Sequence, residues 1–140
     1  MVLREGKPDA WAFVVIGETY LPDGTSQYSF IGYATQPICC ERHLPQYAGA
    51  ERIGSDVAER EALLWSGLWR IALNLCIPTV FLSDSKTAGC FAFGENGAIE
   101  PDLGHRLTRG VFQTLSVLLP GDALQLQHVK GHTGEVGNEC

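Results

Sequence analysis

The stretch from residue 55 to residue 75 carries apolar side chains on several sides of a predicted helix, and this constrains the fold most strongly. One stripe at helical spacing is joined by apolar residues on other faces: Leu64, Leu68, Ile71 and Leu75, then Ala62, Leu63, Trp69 and Leu73. Such a helix must be covered on several sides, so we expect it inside a layered domain. Asp56 is expected to cap its start, and Pro78 to stop its propagation.

Short runs of β-forming residues predict strands before and after this helix. The predicted strands are 11–16, 28–33, 79–83 and 123–129, and the turn at 21–25 joins the first two into a hairpin. Shorter helical signals cover 85–93 and 103–119. The order is strand, strand, helix, strand, helix, helix, strand, which predicts one α/β domain over residues 1–140 with a mixed sheet flanked by helices.

Composition narrows the class of protein. The net charge of −6 argues against strong autonomous nucleic-acid binding, although a site of carboxylates that binds metal is itself acidic. No apolar run is long enough to span a bilayer, and no signal peptide is evident, so we expect no membrane association and no secretion. The five cysteines form no C-x-x-C pair, and we expect reduced thiols in the cytoplasm or nucleus.

Two carboxylates occupy informative positions. Glu59 lies near the start of the long helix, where pairing with Asp56 would resemble a capping box, and Glu61 is the alternative carboxylate. Asp84 follows a predicted strand and precedes a helix. It would serve there either as an N-cap residue or as a ligand-binding residue, because α/β sheets bind ligands at the carboxyl ends of their strands.

A third candidate is His132, which stands between glycines in the loop Gly131-His132-Thr133-Gly134. Glycine lets such a loop adopt unusual backbone angles, and histidine transfers protons near neutral pH. Most lone loop histidines are simply solvated. The remaining histidines lie in no motif and are assigned no role: His43, His105 and His128.

Taken together, these motifs resemble the type 1 ribonuclease H domain of retroelement polyproteins. Segment 58–63 (Ala-Glu-x-x-Ala-Leu) is similar to the family's helix motif, and segment 82–85 (Leu-Ser-Asp-Ser) to its fourth-strand motif. Segment 129–139 is similar to the loop that leads into the last helix, and it is the most specific match. The resemblance covers nearly the whole chain.

The resemblance implies an endonuclease that cleaves the RNA strand of RNA–DNA hybrids with two Mg²⁺ ions, Mn²⁺ being an alternative metal. Glu59 and Asp84 would be metal ligands, and His132 would assist proton transfer or product release. Ser55 and Asn138 would lie near the hybrid or the metals. Contacts to 2′-hydroxyls would distinguish RNA from DNA, and a covalently linked reverse transcriptase domain is the expected partner.

Two parts of the family pattern fall outside residues 1–140. The first-strand Asp-Gly-Ser motif would precede residues 1–10, and the last aspartate would follow Cys140. We therefore expect a partial domain truncated at both ends, whose central strand is missing and whose activity in isolation is impaired. The motif Asp23-Gly24-Thr25 imitates Asp-Gly-Ser, but its place between two strands favours a hairpin turn.

Two alternatives stay open. A degenerate ribonuclease H fold could act as a non-catalytic nucleic-acid-binding or scaffold module, which would need no divalent ion. A nucleophilic hydrolase could pair a cysteine or serine with His132, but the sequence has no Gly-x-Ser-x-Gly elbow.

Overall fold

The computed structural model describes residues 9–84 and 103–129. The predicted helix 85–93, His132 and Asn138 lie outside the described residues. Six regular elements follow one another in the order β1 (Ala10–Tyr20), β2 (Ser26–Pro37), α1 (Ser55–Leu73), β3 (Thr79–Ser83), α2 (Leu103–Leu118) and β4 (Leu124–His128). The mixed α/β class expected from the sequence is therefore confirmed.

Strands β1 and β2 form the predicted antiparallel hairpin. Its turn is held by Asp23, whose Oδ1 accepts hydrogen bonds from the backbone N–H of Thr25 at 2.9 Å and from its hydroxyl at 2.6 Å. Gly24 has φ +87°, a backbone angle that favours glycine. The turn interpretation of this motif is thus confirmed. Both strands extend beyond their predicted ranges, because polar residues continue the pairing after the apolar runs end.

Strands β3 and β4 pair in parallel, from Thr79 opposite Leu124 to Ser83 opposite His128. The predicted strand 79–83 is confirmed, whereas β4 is shorter than predicted because residues Gly121–Ala123 form a 3₁₀ turn. In the described part of the chain the strands make two separate two-stranded sheets, one antiparallel and one parallel.

Both sheets contribute to one hydrophobic core around α1. Its buried members come from every layer: Trp11 and Phe13, Ala62 and Leu63, Phe81, Phe112, Leu115 and Leu119, and Leu124. As expected, α1 is buried on several sides. The predicted stripe is only partly right, because Leu68 is 39% and Leu75 46% exposed. The tightest positions on α1 instead include small residues such as Ser66 and Gly67, which allow close approach by α2.

The ends of α1 differ from the prediction. Gly54 is the N-cap residue and offers no side-chain cap, so the assignment of that role to Asp56 is wrong. Asp56 lies inside the first turn and accepts hydrogen bonds from the Arg52 guanidinium, which lower the pKa of its carboxyl. Asn74, in the left-handed conformation with φ 53°, ends the helix at Leu73, well before Pro78.

Two helical glycines give a matched test of the packing. A Cβ at Gly67 would lie 2.6 Å from Val111 Cγ1, whereas a Cβ at Gly110 would meet nothing within 4 Å. We expect Gly67→Ala to lower the free energy of unfolding by about 1–3 kcal/mol through overpacking. Gly110→Ala should raise it by about 0.5–1 kcal/mol through helix propensity. Urea unfolding of both variants measures the two shifts, and an inverse order would contradict the helix packing.

Among residues 9–84 and 103–129, no helix is both long enough and apolar enough to cross a membrane.

Candidate functional site

Asp84 lies directly after β3, at the edge where the two parallel strands end. The N–H of Val129 donates to the carbonyl oxygen of Ser83 at 2.9 Å. The Nε2 atom of His128 lies 3.1 Å from the carbonyl oxygen of Asp84, which accepts when Nε2 carries the proton. The backbone on both sides of the half-buried Asp84 is therefore fixed by the end of β4.

His128 is a neighbour of the candidate site that sequence reasoning left without a role. The available signal was its position at the end of a predicted strand, because parallel strands end at a shared edge. Its contact is with the Asp84 backbone rather than with the carboxylate. His128 therefore contributes to the position of the Asp84 backbone rather than to that of its carboxylate.

Glu59 projects from the second turn of α1 and is half-buried. The capping-box explanation of this residue is wrong, because Gly54 is the N-cap and Glu59 lies beyond the first turn. The expectation that its side of the helix faces protein is right for Ala62 and Ser66, which are buried. It is wrong at Leu73, which is 41% exposed.

A buried arginine ties the end of α1 to the start of β3. Arg70 is 2% exposed, and its Nε donates to the Thr79 hydroxyl at 2.8 Å. Its guanidinium also donates to the carbonyl oxygens of Leu75 and Ile77, in the connection between the two elements. Arg70 therefore holds the connection and the start of β3 against the end of α1.

Spacing from this tie relates the two candidate carboxylates. At a rise of about 1.5 Å per residue, Glu59 lies roughly 16 Å back along α1 from Arg70. At about 3.3 Å per residue, Asp84 lies roughly 16 Å forward along β3 from Thr79. The two estimated distances from this contact are therefore nearly equal.

Oxygen donors of this kind suit Mg²⁺. Within residues 9–84 and 103–129, no three side chains of His, Cys, Asp or Glu are grouped as metal ligands. Of the remaining predicted site residues, Ser55 is exposed at the first position of α1, and His132 and Asn138 are not described.

Glu61, the alternative carboxylate, belongs to the interior. It is 0% exposed, the Trp65 Nε1 atom lies 3.4 Å from its Oε1, and an Arg60 guanidinium nitrogen lies 3.8 Å from its Oε2. Burial raises the pKa of the Glu61 carboxyl above its ordinary value of 4.5, outweighing the opposing effects of Trp65 and Arg60. Without access to solvent, Glu61 cannot meet a substrate.

This burial gives a pH-dependent stability. A raised folded-state pKa means that the folded chain holds the Glu61 proton at a pH where the unfolded chain has lost it. Stability should therefore fall as pH rises above about 4.5, by at most about 1.4 kcal/mol per pH unit from this group. Glu61→Gln removes the titration while keeping the side-chain shape. Urea unfolding between pH 5 and 7 should show a shallower fall for the variant, and parallel curves for the two chains would contradict a buried, titrating Glu61.

Comparison of the chain with protein-family models, with curated proteins and with solved structures gives no match. The case for a function accordingly comes from the motifs in the sequence and from the geometry around Asp84 and Glu59.

Proposed function

We propose that this chain is the ribonuclease H-type part of a metal-dependent endonuclease that cleaves the RNA strand of RNA–DNA hybrids. The observation that carries the proposal is the Arg70–Thr79 contact, from which Glu59 and Asp84 lie at similar estimated distances of about 16 Å along α1 and β3. These similar distances support the proposal that Glu59, from the family's helix motif, and Asp84, from its fourth-strand motif, lie near each other.

The order of elements supports the same proposal. An antiparallel hairpin is followed by a buried helix, and the next two strands pair in parallel. This is the order expected of a ribonuclease H-like sheet, and Asp84 stands at the carboxyl end of a strand, where α/β sheets place ligands.

Glu59 and Asp84 would hold one side of a magnesium pair. When bound, such a pair activates a water molecule and stabilises the leaving oxygen of a phosphodiester. The protein's own contribution would be to present the two carboxylates from ordered elements, since much of α1 is buried and His128 of β4 contacts the Asp84 backbone. By resemblance, His132 assists the proton transfer.

Binding of the hybrid requires cations that this acidic chain supplies sparsely. The β1–β2 hairpin, residues 9–37, contains three acidic residues and no lysine, arginine or histidine. We therefore assign most phosphate contacts to the linked reverse transcriptase domain that the resemblance implies, with the metals supplying the remainder.

The direct test uses an end-labelled 18-nucleotide RNA annealed to DNA, with duplex RNA and duplex DNA of the same sequence as controls. The protein encoded by the whole reading frame should cleave only the hybrid. Cleavage should require Mg²⁺ or Mn²⁺ and should be abolished by EDTA. A thiol-blocking reagent should leave cleavage unchanged, because no cysteine takes part. Hybrid binding of equal strength with and without EDTA, and without cleavage, would instead identify the non-catalytic module.

A further inference from the structure

The outer side of the β1–β2 hairpin exposes large aromatic side chains. Tyr20 is 75% exposed, Tyr28 66%, Phe30 67% and Tyr33 71%. Together these four rings leave roughly 550 Å² of surface in water, at about 200 Å² for each fully exposed ring. That is as much as the largest apolar patch of a typical monomer, which is often functional.

Strand register places these residues on one face. Trp11 and Phe13 point into the core from β1, so the alternate positions Ile16, Glu18 and Tyr20 point outward. Opposite partners share a face, which adds Phe30 across from Ile16 and Tyr28 across from Glu18. Tyr33 joins them across from Val14. We call this the aromatic face: Ile16, Glu18, Tyr20, Tyr28, Phe30 and Tyr33.

The centre of the aromatic face is a carboxylate. Hydrogen bonds from the hydroxyls of Tyr28, Ser26 and Tyr20 lower the pKa of Glu18 below its ordinary value. The same bonding, led by Glu18, raises the pKa of Tyr20 and of Tyr28. Glu18 is thus ionised at neutral pH between two tyrosine rings that keep their protons. A cation placed there meets a carboxylate beside two tyrosine side chains.

The charged residues of the hairpin segment all have the same sign. Asp9, Glu18 and Asp23 are the only charged residues of segment 9–37. A second copy of this chain would bring Glu18 towards its own equivalent in a two-fold interface, which is repulsive. The phosphates of a nucleic acid would be repelled in the same way, although its bases could stack on the rings.

We propose that the aromatic face binds a protein segment in which basic side chains stand between apolar ones. Arginine or lysine would pair with Glu18, and the flanking apolar side chains would cover Phe30 on one side of it and Tyr20 on the other. In an extended segment every second side chain faces the same way, so the matching pattern is apolar-x-basic-x-apolar. The exposed aromatic area falls somewhat below the roughly 800 Å² per partner of a standard interface, and the polar rim would supply the rest.

The test uses a fluorescein-labelled peptide, Leu-Ser-Arg-Ser-Leu-Ser-Arg-Ser-Leu, titrated into the whole chain and followed by anisotropy. The chain should bind it, and should not bind the same peptide with both arginines replaced by glutamate. The double variant Phe30→Ser/Tyr33→Ser, which keeps the net charge, should raise the Kd about tenfold or more. Glu18→Gln should raise it about threefold to tenfold and weaken its dependence on salt.

Two variants outside the aromatic face serve as controls. Val117→Ser removes an apolar side chain that is 83% exposed on α2, and Glu41→Gln removes an exposed acid, so both should bind as the native chain does. Circular-dichroism melting verifies that every variant folds.

Three results would overturn the proposal. The first is failure of the native chain to bind the peptide, or equal binding by the aromatic-face variants. The second is binding of labelled oligo(dT) that the double variant loses, which would make the aromatic face a nucleic-acid platform. The third is a concentration-dependent dimer that the double variant abolishes, which would make the occupant a second copy.

Discussion

Asp84→Asn is expected to reduce divalent-cation-dependent cleavage of an RNA–DNA hybrid by about a hundredfold or more. The substitution keeps the side-chain shape but removes the negative charge that a metal pair requires. Losses of 10–100-fold follow even from changes to groups that only support metal ligands, so removal of a ligand should cost at least as much. The measurement is the single-turnover rate of hybrid cleavage with Mg²⁺ and with Mn²⁺, using the protein encoded by the whole reading frame.

Glu59→Gln should show a loss of similar size, and the double variant should lose little more than either single change, because residues that act as a unit are not additive. Asp122→Asn, in the exposed 3₁₀ turn before β4, removes an acid elsewhere and should leave the rate unchanged. A rate for Asp84→Asn close to that of the native protein would remove Asp84 from the catalytic site.

Arg70→Met should lower the free energy of unfolding by about 3 kcal/mol or more. Arg70 is buried, and its loss would leave the Leu75 carbonyl without its donor, while the Ile77 carbonyl and the Thr79 hydroxyl would keep only the bond between them. Each polar group stranded in this way costs about 1–3 kcal/mol. Equilibrium urea unfolding measures the change, and a smaller cleavage rate should accompany it because the same contact relates α1 to β3.

Arg52→Met is the matched control, since it also replaces one arginine of a hydrogen-bonded pair. Arg52 contacts Asp56 on the surface, where the two side chains are 63% and 66% exposed. Exposed ion pairs contribute about 1 kcal/mol at most. If the two variants were equally stable, the bonds of Arg70 would not be what holds the start of β3 to the end of α1.

Local signals were enough to predict most of the elements. The hairpin follows from the Asp23-Gly24-Thr25 turn between two β-forming runs, and β3 from five β-forming residues bounded by Pro78 and Asp84. The pattern of leucine and glutamine in β4 likewise predicted one solvated face. These features depend on neighbours in the sequence, and a single sequence contains them.

Features set by distant parts of the chain were not predictable. Glu61 resembles a surface residue of a helix, and only the packing of other elements around α1 buries it. The N-cap residue Gly54 has no side chain that a sequence pattern could identify as a cap, whereas Asp56 is of a residue type that often caps helices. The outward rings of Tyr28 and Tyr33 read as ordinary strand residues until the register showed which face they share.

The candidate site divides in the same way. The position of Asp84 at a strand end could be predicted, because the strand and the break after it are adjacent in sequence. The contact between His128 and Asp84 could not, since it joins residues 44 positions apart through a parallel pairing. The bonds of Arg70 to the start of β3 and to the connection after α1 likewise leave no pattern in the sequence.

Titration of Mn²⁺ followed by electron paramagnetic resonance tests most directly whether Glu59 and Asp84 hold metal together. The protein encoded by the whole reading frame should bind Mn²⁺. Glu59→Gln and Asp84→Asn should each weaken Mn²⁺ binding about tenfold or more. Asp122→Asn should leave Mn²⁺ binding unchanged. Mn²⁺ affinity that stays the same in both single variants would contradict a shared metal site at the end of α1 and β3.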